Sequence, residues 1–116
     1  MNNNVNDKIL LPNGRAIERK YEKALIMDEA YQNRYEELIM NNTKGGAVLM
    51  YVHSKMDENG KLVSNLDCIA EALNFSRSTV ARAVAFLKDE FSDLVAVDKQ
   101  HNVSRFSVDT RRCFKA

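Results

Sequence analysis

The chain has 116 residues, of which 45% are hydrophobic and 28% are charged. This length and composition indicate one small soluble globular domain and leave little room for a second. Because 17 basic residues are balanced by 16 acidic ones, total charge does not indicate a nucleic-acid partner, and the distribution of the charges has to be considered instead.

The two cysteines favour neither a disulfide framework nor a zinc site. Cys68 and Cys113 lie far apart, with no further Cys or His at ligand spacing, so we expect no metal. Cys68 stands among apolar residues of a predicted helix, which indicates a buried, reduced thiol.

Residues 1–4 show no secretory signal, and the longest apolar run, residues 47–52, is far shorter than the roughly 20 residues of a membrane helix. We therefore expect a cytoplasmic protein without membrane contact.

Residues 15–41 form the longest helical pattern, without Gly or Pro, and with a possible break near Asp28. Its apolar positions recur at spacings of three, four or seven, with charged residues between them: Ile17, Tyr21, Ala24, Tyr31, Tyr35 and Leu38. Two interpretations stay open. The apolar stripe packs on its own domain, or it joins two copies as a dimerisation helix.

A second, largely apolar helix is predicted to begin at Ala47, after the breakers in residues 41–46. Such a helix belongs in the middle of a fold. It ends near Gly60, which suits a left-handed cap. His53 lies on this helix without a partner in sequence, so we interpret it as a core histidine rather than a catalytic one.

Two short helices joined by a tight turn follow. Ser64 is the predicted N-cap of the first, with Asp67 in the first turn, where the helix dipole favours a carboxylate. Ser76 is the predicted N-cap of the second. The predicted buried positions are Leu66, Ile69, Ala70 and Leu73 on the first helix, and Val80, Ala83, Val84 and Leu87 on the second. This layout is that of a helix-turn-helix.

Residues 66–88 resemble the helix-turn-helix of bacterial winged-helix DNA-binding proteins. The run Ser76-Arg77-Ser78-Thr79-Val80-x-Arg82, ending in Leu87-Lys88, is similar to the start of that family's recognition helix. Asn74 stands where the family usually has Gly, and Asn tolerates the same left-handed conformation. The resemblance implies that the second helix enters the major groove of DNA.

The segment after the helix pair is typical of a wing. Residues 94–97 and 103–108 are β-rich and are joined by the polar residues 98–102, which predicts a hairpin. The fold class we expect is mainly α with a small β-hairpin. It consists of a winged helix-turn-helix domain over residues 47–116, preceded by an N-terminal arm and helical extension over residues 1–46.

The charges of this region are unevenly distributed. Residues 72–88 contain Arg77, Arg82 and Lys88 and no acid, whereas the acids concentrate in residues 89–98. Residues 99–116 contain five basic residues against one acidic residue. Two basic surfaces are therefore predicted, and such surfaces are what DNA binding requires.

The candidate DNA-binding residues are Arg77, Ser78, Thr79, Arg82, Lys88, Lys99, Gln100, His101, Asn102 and Arg105. Arg77 or Arg82 is expected to read guanine through paired hydrogen bonds. The hydroxyl groups in the first turn suit phosphate contacts. The hairpin tip, residues 99–102, either reaches phosphate or the minor groove or is a solvated turn. Arg105 is expected on the face opposite Phe106, where it supports the DNA side of the wing.

Nothing in the sequence indicates catalysis, since there is no Gly-rich phosphate loop and no Ser/His/Asp arrangement. We expect no enzyme and no cofactor. The leading hypothesis is a sequence-specific double-stranded-DNA-binding protein that acts as a dimeric transcriptional regulator and is associated with the nucleoid or a plasmid. A second hypothesis is a plasmid or phage replication or partition protein, because the element order is loosely similar to Firmicute-type plasmid replication proteins. A third is a protein-interaction module that does not bind DNA.

Overall fold

The structure, a computed structural model, describes residues 8–10, 16–18 and 24–115, with side chains described in 24–115 only. The described helices are α1 (Glu29–Asn41), α2 (Thr43–Lys55), α3 (Leu66–Leu73) and α4 (Arg77–Glu90). The described strands are β1 (Lys8–Leu10), β2 (Ala16–Glu18), β3 (Leu25–Met27), β4 (Lys61–Asn65), β5 (Ala96–Gln100), β6 (Val103–Ser107) and β7 (Cys113–Lys115). The expectation of a mainly α fold with a small β-hairpin is confirmed.

The long helix predicted for residues 15–41 is wrong in its N-terminal half. Residues 16–18 form β2, which pairs antiparallel with β1, and residues 25–27 form β3, which pairs antiparallel with β7 near the other end of the chain. Helix α1 begins only at Glu29, because the Asp28 side chain accepts a hydrogen bond from the Tyr31 N–H at 2.7 Å. The Asp28 N–H in turn donates to the Arg112 carbonyl at 2.8 Å. Residue 15 and residues 19–23 of the predicted helix lie outside the described residues.

The two glycines predicted to precede the second helix lie inside it. Asn42 ends α1 and also caps α2, accepting a hydrogen bond from the Gly45 N–H at 2.9 Å. A Cβ atom on Gly46 would lie 2.9 Å from Ile39 Cγ1, so the glycine allows α1 and α2 to approach closely. The breaker signal was therefore wrong about the start of the helix, which is Thr43 rather than Ala47.

One antiparallel sheet has the strand order β4-β6-β5, so the strand between α2 and α3 pairs with the hairpin that follows α4. Leu62, Phe106 and Val97 form a cross-strand row on the sheet face that packs on the core. Strand β5 runs to Gln100 rather than ending at residue 97, whereas β6 begins at Val103 as predicted, so the connecting turn is reduced to His101 and Asn102.

The core is built from all four described helices and from the sheet. It includes these fully or almost fully buried side chains: Tyr31, Leu38, Val48, Leu49, Val52, Ile69, Val80, Val84, Leu87, Leu94, Val95 and Phe106. The predicted buried positions of α4 are confirmed. On α3, Leu66, Ile69 and Ala70 are buried, whereas Leu73 is only half-buried.

Two details at the start of α3 differ from the predictions. The N-cap is Asn65, whose Oδ1 accepts from the Cys68 N–H at 2.7 Å, rather than Ser64, which belongs to β4 and lies opposite Ser104. Cys68 is exposed rather than buried. The helix has only eight residues, and the buried positions around Ile69 form a stripe too narrow to include Cys68.

Candidate nucleic-acid interface

The surface of α4 opposite the core presents short and basic side chains. Val80 and Leu87 are buried, so helical periodicity places Ser78, Arg82 and Ala85 outward, and all three are exposed. The predicted N-cap is confirmed, since Ser76 Oγ accepts from the Thr79 N–H at 3.1 Å and fixes the first turn. In the first three turns of α4, this outward face is narrow, and Arg82 has the longest side chain on it.

Arg77 lies at the first position of α4 and forms an ion pair across the turn. Its Nε lies 3.4 Å from Asp67 Oδ1, in the first turn of α3. Both side chains remain largely exposed, at 57% and 74%. The guanidinium is therefore accessible, and its Nε side faces the carboxylate.

Arg82 has a basic neighbour that the sequence did not predict. A hollow of about 400 Å³ lies between the start of α2 and the first half of α4, and its lining includes Lys44, Thr79 and Arg82. The Lys44 Nζ lies 4.4 Å from the centroid of the Phe75 ring, which holds the ammonium over the turn between α3 and α4. Lys44 was missed because residues 41–46 were interpreted as a loop. The Asn42 cap, followed by Thr43 and Lys44, was the available signal for a basic first helical turn.

Lys88 does not join this group. It is exposed in the last turn of α4, six residues after Arg82 and therefore about 9 Å further along the helix axis. Asp89 and Glu90 follow it directly and are exposed. The positive charge of α4 is thus concentrated in its N-terminal part.

The predicted hairpin residues are exposed but lie on two faces of the sheet. Lys99 is on the core-facing side in the row with Ser104, whereas Gln100 and Arg105 lie on the outer side. Asp98 is the direct cross-strand neighbour of Arg105. The tip itself places His101 at φ 57, a left-handed conformation that is uncommon for residues other than Gly and Asn. A flat surface cannot contact all five residues at once.

The second predicted basic surface is smaller than its sequence suggested. Arg111 pairs with Asp109 at 3.0 Å, and Arg112 Nε lies 3.4 Å from Asp28 Oδ2. Lys115 donates to the Ser54 and Met56 carbonyl groups at 2.9 and 3.1 Å, at the C-terminal end of α2. Lys115 is part of strand β7. Three of the five cations therefore have partners within the fold.

The remaining predicted cations have no such partner. None of the ion pairs between side chains of residues 24–115 involves Arg82, Lys88, Lys99 or Arg105. In contrast, Asp93, from the acidic stretch after α4, binds Arg34 of α1 at 2.9 Å. Arg82 is thus free to donate paired hydrogen bonds to a phosphate or to a base edge.

His53 is a buried structural residue, as predicted. Its Nε2 lies 2.8 Å from the Tyr31 hydroxyl, which donates to the Leu94 carbonyl at 3.0 Å. Burial, together with the positive charge of Lys115, lowers the pKa of His53 to about 4, so the ring is neutral at pH 7. The described residues contain no group of three or more His, Cys, Asp or Glu side chains arranged to hold a metal ion.

Two further findings concern the described helices and the sequence, respectively. Among the described helices, none is both long enough and apolar enough to cross a membrane. Comparisons of the chain with models of known protein families, with curated proteins and with solved structures found no match.

Proposed function

We propose that this protein binds double-stranded DNA in a sequence-specific manner, with α4 in the major groove and the β5–β6 hairpin on the adjacent groove or backbone. The observation that supports it most strongly is the outward face of α4. In its first three turns that face combines an ion-pair-free Arg82 with short side chains and no acidic residue.

The size of the α4 face suits a groove of DNA. The major groove is about 12 Å wide and admits an α-helix, whose diameter with side chains is about 10–12 Å. Ser78, Ala81 and Ala85 flank Arg82 without bulky groups, which allows the helix to approach the base edges. Asp89 and Glu90 repel phosphates at the other end, so we expect the helix to insert by its N-terminal part.

The winged helix-turn-helix assignment belongs to the same proposal. Helix α2, strand β4, the helix pair α3–α4 and the hairpin β5–β6 follow one another in the order that the sequence resemblance implies. Asn74 adopts φ 58 and ψ 44 at the end of α3, the left-handed conformation for which the family uses Gly. These features support the assignment, and with it a DNA-binding rather than a catalytic role.

Selection of bound duplexes from a random-sequence pool at about 150 mM salt tests this function, because phosphate attraction alone is reduced there. We expect an enriched motif. An inverted repeat would indicate a dimeric regulator, and an array of direct repeats a replication or partition protein. A pool without enrichment would contradict sequence-specific binding and favour a protein-interaction module.

A further inference from the structure

We propose that Asp67 is a positioning residue that holds Arg77 in the orientation in which its guanidinium recognises a base. This inference rests on the proposed function and concerns its specificity. The observation behind it is the ion pair that joins the first turn of α3 to the first residue of α4.

The atoms of this contact determine which edge of Arg77 remains available. Asp67 Oδ1 lies 3.4 Å from the Nε of Arg77, so the carboxylate faces the Nε side of the guanidinium. The end formed by the two Nη groups is left free. Guanine presents two acceptors, O6 and N7, on its major-groove edge, and a pair of parallel N–H donors matches them. An arginine held through Nε offers such a pair at its tip.

Because both partners are largely exposed, this ion pair contributes little to the stability of the fold. Ion pairs between largely exposed side chains contribute little to folding stability, and here the exposed fractions are 57% and 74%. A long side chain loses rotamer freedom when it binds DNA, and a contact that restricts it beforehand reduces that loss. We therefore expect the ion pair to affect binding more than folding, whereas the position of the Asp67 carboxylate in the first turn of α3 stabilises the helix independently of Arg77.

Asp67 also lowers affinity for DNA of any sequence. A carboxylate beside the docking surface repels phosphates, and this repulsion acts on every duplex alike. Only a duplex that offers a guanine to Arg77 regains the difference through base contacts. Because this repulsion is equal for all duplexes, it cancels in the specificity ratio, which is the ratio of specific to non-specific affinity, and only the positioning of Arg77 raises that ratio. Arg82 lacks such a partner in the described residues, so this device is particular to Arg77.

The test compares Asp67→Asn with Glu71→Gln, each measured by fluorescence anisotropy on a duplex with the enriched motif and on a scrambled duplex. Glu71 is exposed on the same helix, one turn later, and forms no ion pair with the described residues. Each variant removes one negative charge, so we expect both to bind the scrambled duplex a few-fold more tightly. Only Asp67→Asn is expected to reduce the specificity ratio, by about two- to fivefold, which is the range that the free energy of an exposed ion pair allows.

Two further variants separate positioning from charge. In an Arg77→Gln background, Asp67→Asn is expected to leave the specificity ratio unchanged, since the group that it positions is absent. Arg77→Lys keeps the charge without the planar fork. It should therefore retain affinity for the scrambled duplex and lose the preference. Circular dichroism verifies that each variant is folded.

If the wild-type protein prefers the motif but Asp67→Asn and Glu71→Gln have equal specificity ratios, this inference is wrong while the proposed function stands. A reduction by Asp67→Asn that persists in the Arg77→Gln background would overturn it as well. If the unchanged protein prefers no sequence, the proposed function fails and the inference fails with it.

Discussion

At the scale of single residues, the proposed interface depends most on Arg82. It lies in the second turn of α4, exposed and without an ion pair to the described residues, while Thr79 and Lys44 line the same hollow. A guanidinium in that position either reads a base or binds a phosphate, and the two roles have different consequences for mutants.

Arg82→Ala is expected to weaken binding to the preferred duplex by about 1–3 kcal/mol and to relax one base position of the motif. Repeating the duplex selection with the variant measures both effects. Arg111→Ala is the matched control, because Arg111 is also exposed and its guanidinium is paired with Asp109. An equal loss on all sequences would instead assign Arg82 to a phosphate.

His101 at the hairpin tip adopts a conformation that fits glycine better than histidine. Its φ of 57 is positive, whereas Asn102 has no positive φ. Non-glycine residues in this region are strained by about 1 kcal/mol or more.

His101→Gly is therefore expected to raise the free energy of unfolding by about 0.5–1 kcal/mol, as measured by urea denaturation. Asn102→Gly is the control and should lower the stability, because it adds backbone freedom to the unfolded chain without relieving strain. Destabilisation by His101→Gly would show that the imidazole makes a contact that outweighs the strain.

At the scale of the elements, Arg34 joins α1 to the segment after α4. Its guanidinium binds Asp93 at 2.9 Å and donates to the Glu90 carbonyl at 2.9 Å. It also lies 4.1 Å from the centroid of the Phe91 ring. Such a combination of paired hydrogen bonds and ring stacking is specific to arginine.

Arg34→Ala is expected to lower the free energy of unfolding by roughly 1–2 kcal/mol, since it removes the contacts to Asp93, Glu90 and Phe91 together. Glu37→Gln removes only the contact between Arg34 and its helical neighbour, 2.9 Å away, and should cost less than about 0.5 kcal/mol. Similar values for the two variants in urea denaturation would contradict this role.

The elements also show what the sequence can predict. Helices α3 and α4 were predictable because their apolar spacing, the Ser76 cap and the turn at Asn74 are local features, although the N-cap of α3 is Asn65 rather than the predicted Ser64. Strand β3 was not, because its partner β7 lies more than 80 residues away, and this pairing overrode a helical pattern. Contacts between distant segments were also the limit for predicting the candidate nucleic-acid interface. Arg77 and Arg82 were found from the pattern of α4, whereas Lys44 approaches Arg82 only through the packing of α2 on α4.

At the scale of the whole molecule, one buried contact joins α1, α2 and the segment before β5. Tyr31 donates its hydroxyl proton to the Leu94 carbonyl, so His53 Nε2–H donates to the Tyr31 oxygen. His53 Nδ1 then has no hydrogen-bonding partner among the described residues. Burial, followed by the positive charge of Lys115, holds the pKa of His53 at about 4, below its usual value of 6.5.

The unfolded chain therefore binds a proton at His53 near pH 6.5, whereas the folded protein binds it only near pH 4. As the pH falls through this range, folding should lose up to about 3 kcal/mol from this residue. Urea denaturation between pH 4 and 7 measures the loss. The pH dependence should be weaker by this amount in His53→Gln and unchanged in His101→Gln, in which the exposed histidine is replaced. An unchanged dependence in His53→Gln would contradict the assignment.

The central claim is that the outward face of α4 contacts DNA, and chemical-shift mapping tests it most directly. The ¹⁵N-labelled protein would be titrated with a duplex that contains the enriched motif. We predict that the largest amide shift changes fall in residues 77–82, with smaller ones at Lys44 and at the hairpin tip, residues 99–102. Changes centred instead on β3 and β7, or no changes at all, would contradict the account.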